Sequence, residues 1–180
     1  VYVDELFSTG IWDGTGSSHA IDNGVDLSGE GGLVWVKCRN IGLSHALYDT
    51  ERGNTKILQS NGTGAETTNS TQITSFNNNG FTMGTGETNY SGFNYVGWTF
   101  RKQPGFFDIK EYTGNGSTKV LSHDLGCKPG LVIVKQKDGT SNWGCYARDG
   151  SNDSEVGTGY LNKTDAFTTS GIAFSATDTA

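Results

Sequence analysis

The residues of this chain with the types to do chemistry are three histidines, three cysteines and scattered carboxylates, and their spacing decides what each can be. His19, His45 and His123 are never at metal-ligand spacing from one another, so each reads as a solvated hydrogen-bonding residue and not as a ligand. His123 and Asp124 are adjacent, which puts them on opposite faces of a strand or together in a turn, not in line toward a serine. Cys38, Cys127 and Cys145 form neither a CxxC pair nor an even set, so they read as small apolar fillers, not as a zinc ribbon or a disulfide framework. Asp149, Ser151 and Asp153 alternate as in a calcium loop, yet Ser154 and Tyr160 stand where such a loop needs Gly and Glu, and a solvated acidic loop is the reading kept. GxSxG, HExxH, P-loop and CxxC patterns are all missing, and no pair of carboxylates is singled out for glycoside hydrolysis. The expectation is a protein with no catalytic residues, no metal and no cofactor.

What remains is binding. Aromatic rings beside Asn and Asp can stack on sugars and hydrogen-bond their hydroxyls. Trp12, Tyr112 and Trp143 lie near turns, and Asn152 and Asp153 lie in a polar loop, so these five are the candidate contacts. Trp143 has packing as its competing role, and Trp35 and Trp98 sit in strand patterns that mark them as core. The six N-x-S/T triplets are what a chain this rich in Asn, Ser and Thr gives largely by chance, and no glycan is assigned to them.

Composition limits the elements that could position these side chains. Gly, Thr, Ser and Asn supply 27, 22, 16 and 14 residues of 180, and the longest stretch free of Gly and Pro, Ala65 to Asn79, has no helical period. Four Trp, nine Phe and seven Tyr carry too much apolar area for a disordered chain. Short strands and tight turns are therefore expected, in an all-β fold. The net charge of −6 argues against a nucleic-acid partner, and no apolar run is long enough for membrane insertion. Val1 is not an initiator Met, so the chain is expected to be a piece of a longer or processed polypeptide.

The strongest sequence feature is a repeat. Trp12–Ile21 aligns with Tyr112–Leu121 at an offset of 100, and Gly31–Lys37 aligns with Pro129–Lys135 at an offset of 98. GGLVWVK and PGLVIVK agree at five of seven positions, retaining a Gly, an apolar run and a closing Lys. Tandem antiparallel β-sandwich units, jelly-roll or lectin-like, are the expectation, with residues 1–103 and 104–180 as the two units and Gln103-Pro104-Gly105 as linker.

Further expectations follow along the chain. Residues 1–11 read as a weak strand or a lead-in from an upstream segment, Gly14 and Gly16 as a hairpin-like bend, and Leu33–Val36 as a strand buried on both sides. Ile73–Phe76 with Phe81–Met83 forms a hairpin, and Asn61–Thr71 and Asp149–Gly159 are the surface loops that make contacts. Val96, Trp98 and Phe100 share a face of the strand that closes the first unit, and Phe107 and Ile109 open the second. The counterpart of that closing strand, YVGWTF, is missing from the second unit, which leaves a sheet edge for the continuing polypeptide or another chain to fill.

VYVDELFSTG, NGVDLSGEGGLVWVK, LYDTERG, SFNNNGFTMG, YVGWTFRKQPGFFDIKEYTGNGS and SHDLGCKPGLVIVK together resemble a family of uncharacterised, tail-fibre-like virion proteins of marine tailed bacteriophages, chiefly those of cyanobacteria. The resemblance implies a structural protein of the extracellular phage particle, in the tail rather than the head, that takes part in host-surface attachment. It implies as partners other virion proteins, copies of the chain itself in a trimer, and a glycan or protein of the host surface. A capsid decoration or structural spacer is the alternative, and a polysaccharide-degrading enzyme a third.

Overall fold

The computed structural model describes residues 1–148 and 155–168. Its elements are almost all short antiparallel strands, as the Thr, Asn and Gly content demands. Val3–Leu6 is one turn of helix (α1), not a strand, and leads into β1 (Phe7–Asp13). Then follow β2 (His19–Asp22), β3 (Gly32–Cys38), β4 (Ala46–Asp49), β5 (Lys56–Gln59), β6 (Thr67–Thr68), β7 (Ile73–Asn77), β8 (Gly80–Met83) and β9 (Asn94–Arg101). The second half contributes β10 (Leu131–Val134), β11 (Gly144–Arg148) and β12 (Glu155–Tyr160).

Two sheets share the main core. One has strand order β1-β9-β3-β4-β5-β6 and the other β2-β8-β7. Val34, Val36, Tyr48 and Tyr95 of the larger sheet meet Ile21, Ile73, Phe81 and Met83 of the smaller, all buried. Each such side chain contributes about 1.5–3 kcal/mol by leaving water. Within this core the Tyr48 hydroxyl donates to the Gln72 side-chain oxygen, which satisfies a polar group that burial would otherwise penalise.

The Gly14–Gly16 bend is not a hairpin. β1 pairs with β9 and β2 with β8, so the chain crosses from one sheet to the other there. Trp12 sets the geometry: its ring stacks 5.8 Å from Tyr95 and meets Phe81 edge-on at 6.0 Å. Gly97 leaves room for it, since a Cβ there would lie 2.9 Å from the indole.

The face Val96, Trp98 and Phe100 share is the outer one, and Tyr95, Gly97 and Thr99 face the core. On that outer face Trp98 lies edge-on to Trp35 at 5.9 Å, and Phe100 lies between Phe7 and Phe107 at 4.9 and 5.4 Å. Likewise β3 buries Val34 and Val36 fully and leaves Leu33 and Trp35 half-buried on the second face. The Ile73–Phe76 and Phe81–Met83 hairpin forms as the sequence indicates.

After β9 a tight turn closes by pairing of Gln103 with Phe107. Phe107 and Ile109 form no strand, and Glu111–Ser122 runs exposed without secondary structure. Among the described residues the second half holds one three-stranded sheet, β10-β11-β12, and no second layer of its own. Asp149–Ser154, Ile172 and Phe174 lie outside the described residues.

Candidate functional site

The second sheet copies part of the first in its hydrogen-bond register. Leu33↔Asp49, Val34↔Tyr48, Trp35↔Leu47 and Val36↔Ala46 recur as Leu131↔Ala147, Val132↔Tyr146, Ile133↔Cys145 and Val134↔Gly144, each residue displaced by 98. Ala46↔Gln59 and Leu47↔Leu58 recur as Gly144↔Tyr160 and Cys145↔Gly159, with three residues added in the connection. Detail survives as well. The Gly32 carbonyl accepts from Thr50 N–H at 3.0 Å, and the Gly130 carbonyl accepts from Arg148 N–H at 2.9 Å. His45 N–H donates to Asn61 Oδ1 at 2.8 Å, and Trp143 N–H donates to Asn162 Oδ1 at 2.8 Å.

The closing Lys has a structural task in both copies. Lys37 Nζ donates to the Ile41 and Leu43 carbonyls at 3.4 and 2.9 Å, and Lys135 Nζ donates to the Gly139 carbonyl and Ser141 Oγ at 3.2 and 3.4 Å. Each ammonium holds the turn after its strand. Partial burial pushes the Lys135 amine below its usual range.

Trp143 fastens the copy to the first half. Its ring packs with Leu47 and Leu58, and Leu33, Trp35 and Leu161 flank that cluster. Its indole Nε1–H reaches the Gln59 and Gly62 carbonyls at 3.0 and 3.1 Å. Two backbone bonds run beside it, Glu66 N–H to Lys137 O at 2.7 Å and Ser141 N–H to Thr63 O at 3.0 Å. The Asn61–Thr71 segment is therefore partly a docking seat and partly strand β6, not solely a free contact loop.

The two copies differ at one edge. In the larger sheet β3 lies between β4 and β9, with seven register pairs to β9 from Gly32↔Arg101 to Cys38↔Tyr95. Among the described residues no strand pairs with the equivalent side of β10. Leu131 and Ile133 are 60% and 40% exposed, although the sequence marks this run as core. Among the described residues this face has neither a further strand beside it nor a second sheet over it.

Of the five candidate contacts, Trp12 and Trp143 are buried at 7% and 5% exposure, which removes their rings from ligand stacking. Tyr112 is exposed, and Lys119 Nζ lies over its ring at 5.8 Å. Asn152 and Asp153 lie outside the described residues. Cys38 and Cys145 are buried as fillers would be, whereas Cys127 is exposed.

A cleft of about 180 Å³ at the linker is lined by Glu30, Lys102, Gln103, Phe107, Asp108 and Asp124. Lys102 bonds Glu51 at 2.6 Å and Lys110 bonds Asp124 at 2.6 Å. These hydrogen bonds raise both amines and hold the Asp124 carboxyl below its usual range. Its charges answer one another across the linker, which ties the linker to the turn that follows β4 and leaves little for a ligand.

Antiparallel sheets sharing one core, with a register-matched third sheet fastened to them, define an all-β protein built from a repeated meander. The model of a domain of unknown function, DUF7483, matches residues 3–180, and the chain belongs to that family. No curated protein and no solved structure matches it.

Proposed function

We propose that the chain is a structural protein of a tailed-phage virion, part of a tail fibre or similar appendage that takes part in host-surface attachment. The observation that supports this best is the repetition of β3-β4-β5 as β10-β11-β12 in one register, because repeated β units are an economical way to extend a rigid appendage. In this reading each copy derives from a jelly-roll or lectin-like sandwich unit, and the role is not enzymatic. Copies of the chain, as a trimer, and other virion proteins are the assembly partners, and a surface glycan or protein of the host is the target. Exposed Tyr112, with Lys119 beside it, is the aromatic platform that such a target would meet.

Cryo-electron microscopy of intact virions, with antibody labelling of this chain, tests the reading. Density on the tail appendage is expected. Density over the head would replace this reading with a capsid decoration, and release of reducing ends from host envelope material by the purified chain would replace it with an enzyme.

A further inference from the structure

We infer that the outer edge of β10 is an acceptor site for one β-strand of β9 type, supplied by another polypeptide. This inference stands on the repeat alone and does not need the virion reading.

Backbone alternation shows which groups have no partner strand among the described residues. The Gly130 carbonyl points to β11, where it accepts from Arg148 N–H, so Val132 and Val134 also point there and Leu131, Ile133 and Lys135 point away. Their counterparts Leu33, Trp35 and Lys37 are the residues whose backbone faces β9, on the side where Lys102 N–H donates to the Gly31 carbonyl at 2.9 Å. The edge itself, Leu-Val-Ile-Val, contains no proline and no charge, and its ladder with β11 has no bulge across these four residues. Protective devices of that kind are usual on an edge that stays unpaired.

The first copy says what fits. Carried over by 98, the β3–β9 register puts Phe opposite Leu131, Thr opposite Val132, Trp opposite Ile133 and Gly opposite Val134. The Trp would cover Ile133 as Trp98 covers Trp35. Among the described residues the β9 sequence cannot serve, because β1 and β3 already take both of its edges. A strand in trans completes the sheet by β-augmentation.

The test uses the 180-residue chain and a synthetic peptide of residues 94–101, Asn-Tyr-Val-Gly-Trp-Thr-Phe-Arg. Hydrogen exchange at the Leu131 and Ile133 amides should slow by about tenfold or more when the peptide is saturating, with the Val132 amide little changed. A peptide N-methylated at the residue corresponding to Trp98 should give no protection, because that nitrogen faces the acceptor. Ile133→Pro should abolish peptide binding while keeping the β10–β11 ladder, since the lost N–H points outward. Should that variant fail to fold, the N-methylated peptide still decides the question on the unaltered chain. Unchanged exchange at Leu131 and Ile133 with peptide at about 1 mM, a concentration at which even weak association of about −4 kcal/mol registers, would overturn the inference. So would protection that rises with protein concentration in the absence of peptide, which would mean that two β10 edges pair with each other.

Discussion

The meander β3-β4-β5 and its copy β10-β11-β12 have one register and different surroundings. In the first, β3 is a central strand with Val34 and Val36 fully buried against the second sheet, and β9 and β4 use its backbone groups on both sides. In the second, β10 has β11 on one side only among the described residues, and its four residues are half-buried or exposed. What the copies retain is what shapes the backbone: the Gly carbonyl that accepts from β4 or β11, the Asn side chain that caps the strand entry, and the Lys that holds the turn. What they do not retain is the set of neighbours that makes a strand a core strand. Register is local, and burial depends on what is packed next door.

Trp143 is the residue that fastens one copy to the other, and its loss should have the largest effect. Trp143→Ala should cost about 3–5 kcal/mol of the contact between the halves, from lost packing and the lost indole bonds to the Gln59 and Gly62 carbonyls. The expected outcome in calorimetry is a separate, earlier transition for β10-β11-β12, and a single unshifted transition would show that the seat carries no weight.

Next, equivalent valines should differ. Val34→Ala should destabilise by roughly 2–3 kcal/mol, whereas Val132→Ala should cost under about 1 kcal/mol, because the first leaves a cavity and the second faces partial solvent. Denaturant titration of both variants measures the difference, and equal losses would put β10 in a core.

The two lysines should instead behave alike. Lys37→Met and Lys135→Met each remove the turn's ammonium donor and should each cost about 1 kcal/mol, read from the same titration.

The smallest effect concerns His45, whose pKa is lowered by burial and then by the Lys37 charge. The folded state disfavours the charged imidazole, so the unfolded state binds more protons between the two pKa values. Stability from this group is present above the unfolded value of about 6.5 and is lost as pH falls from there through the lowered folded value. In the wild type the midpoint denaturant concentration should fall slightly more between pH 7 and 5 than in His45→Gln, and the opposite sign would refute the assignment.

Much of this was legible in the sequence. The Thr and Asn excess, the hairpin at Ile73–Met83 and the offset of 98 all reappear in the strands. Other features were not. Gly14 and Gly16 mark a change of direction, but only the Trp12 contacts with Tyr95 and Phe81 decide that the chain changes sheets there. Trp12 and Trp143 stand next to turns, and proximity to a turn carries no information on which side a ring faces. Asn61–Thr71 has the composition of a free loop because its bonds to Ser141 and Lys137 use backbone atoms, which composition does not record.

The most direct test of the account is residue-resolved hydrogen exchange on the isolated chain, comparing the Leu33 and Trp35 amides with those of Leu131 and Ile133. The first pair should be protected by β9 and exchange slowly, while the second pair should exchange orders of magnitude faster, close to the rate of exposed backbone. Equal protection of the two pairs would contradict it, because the edge of the copy would then already be filled.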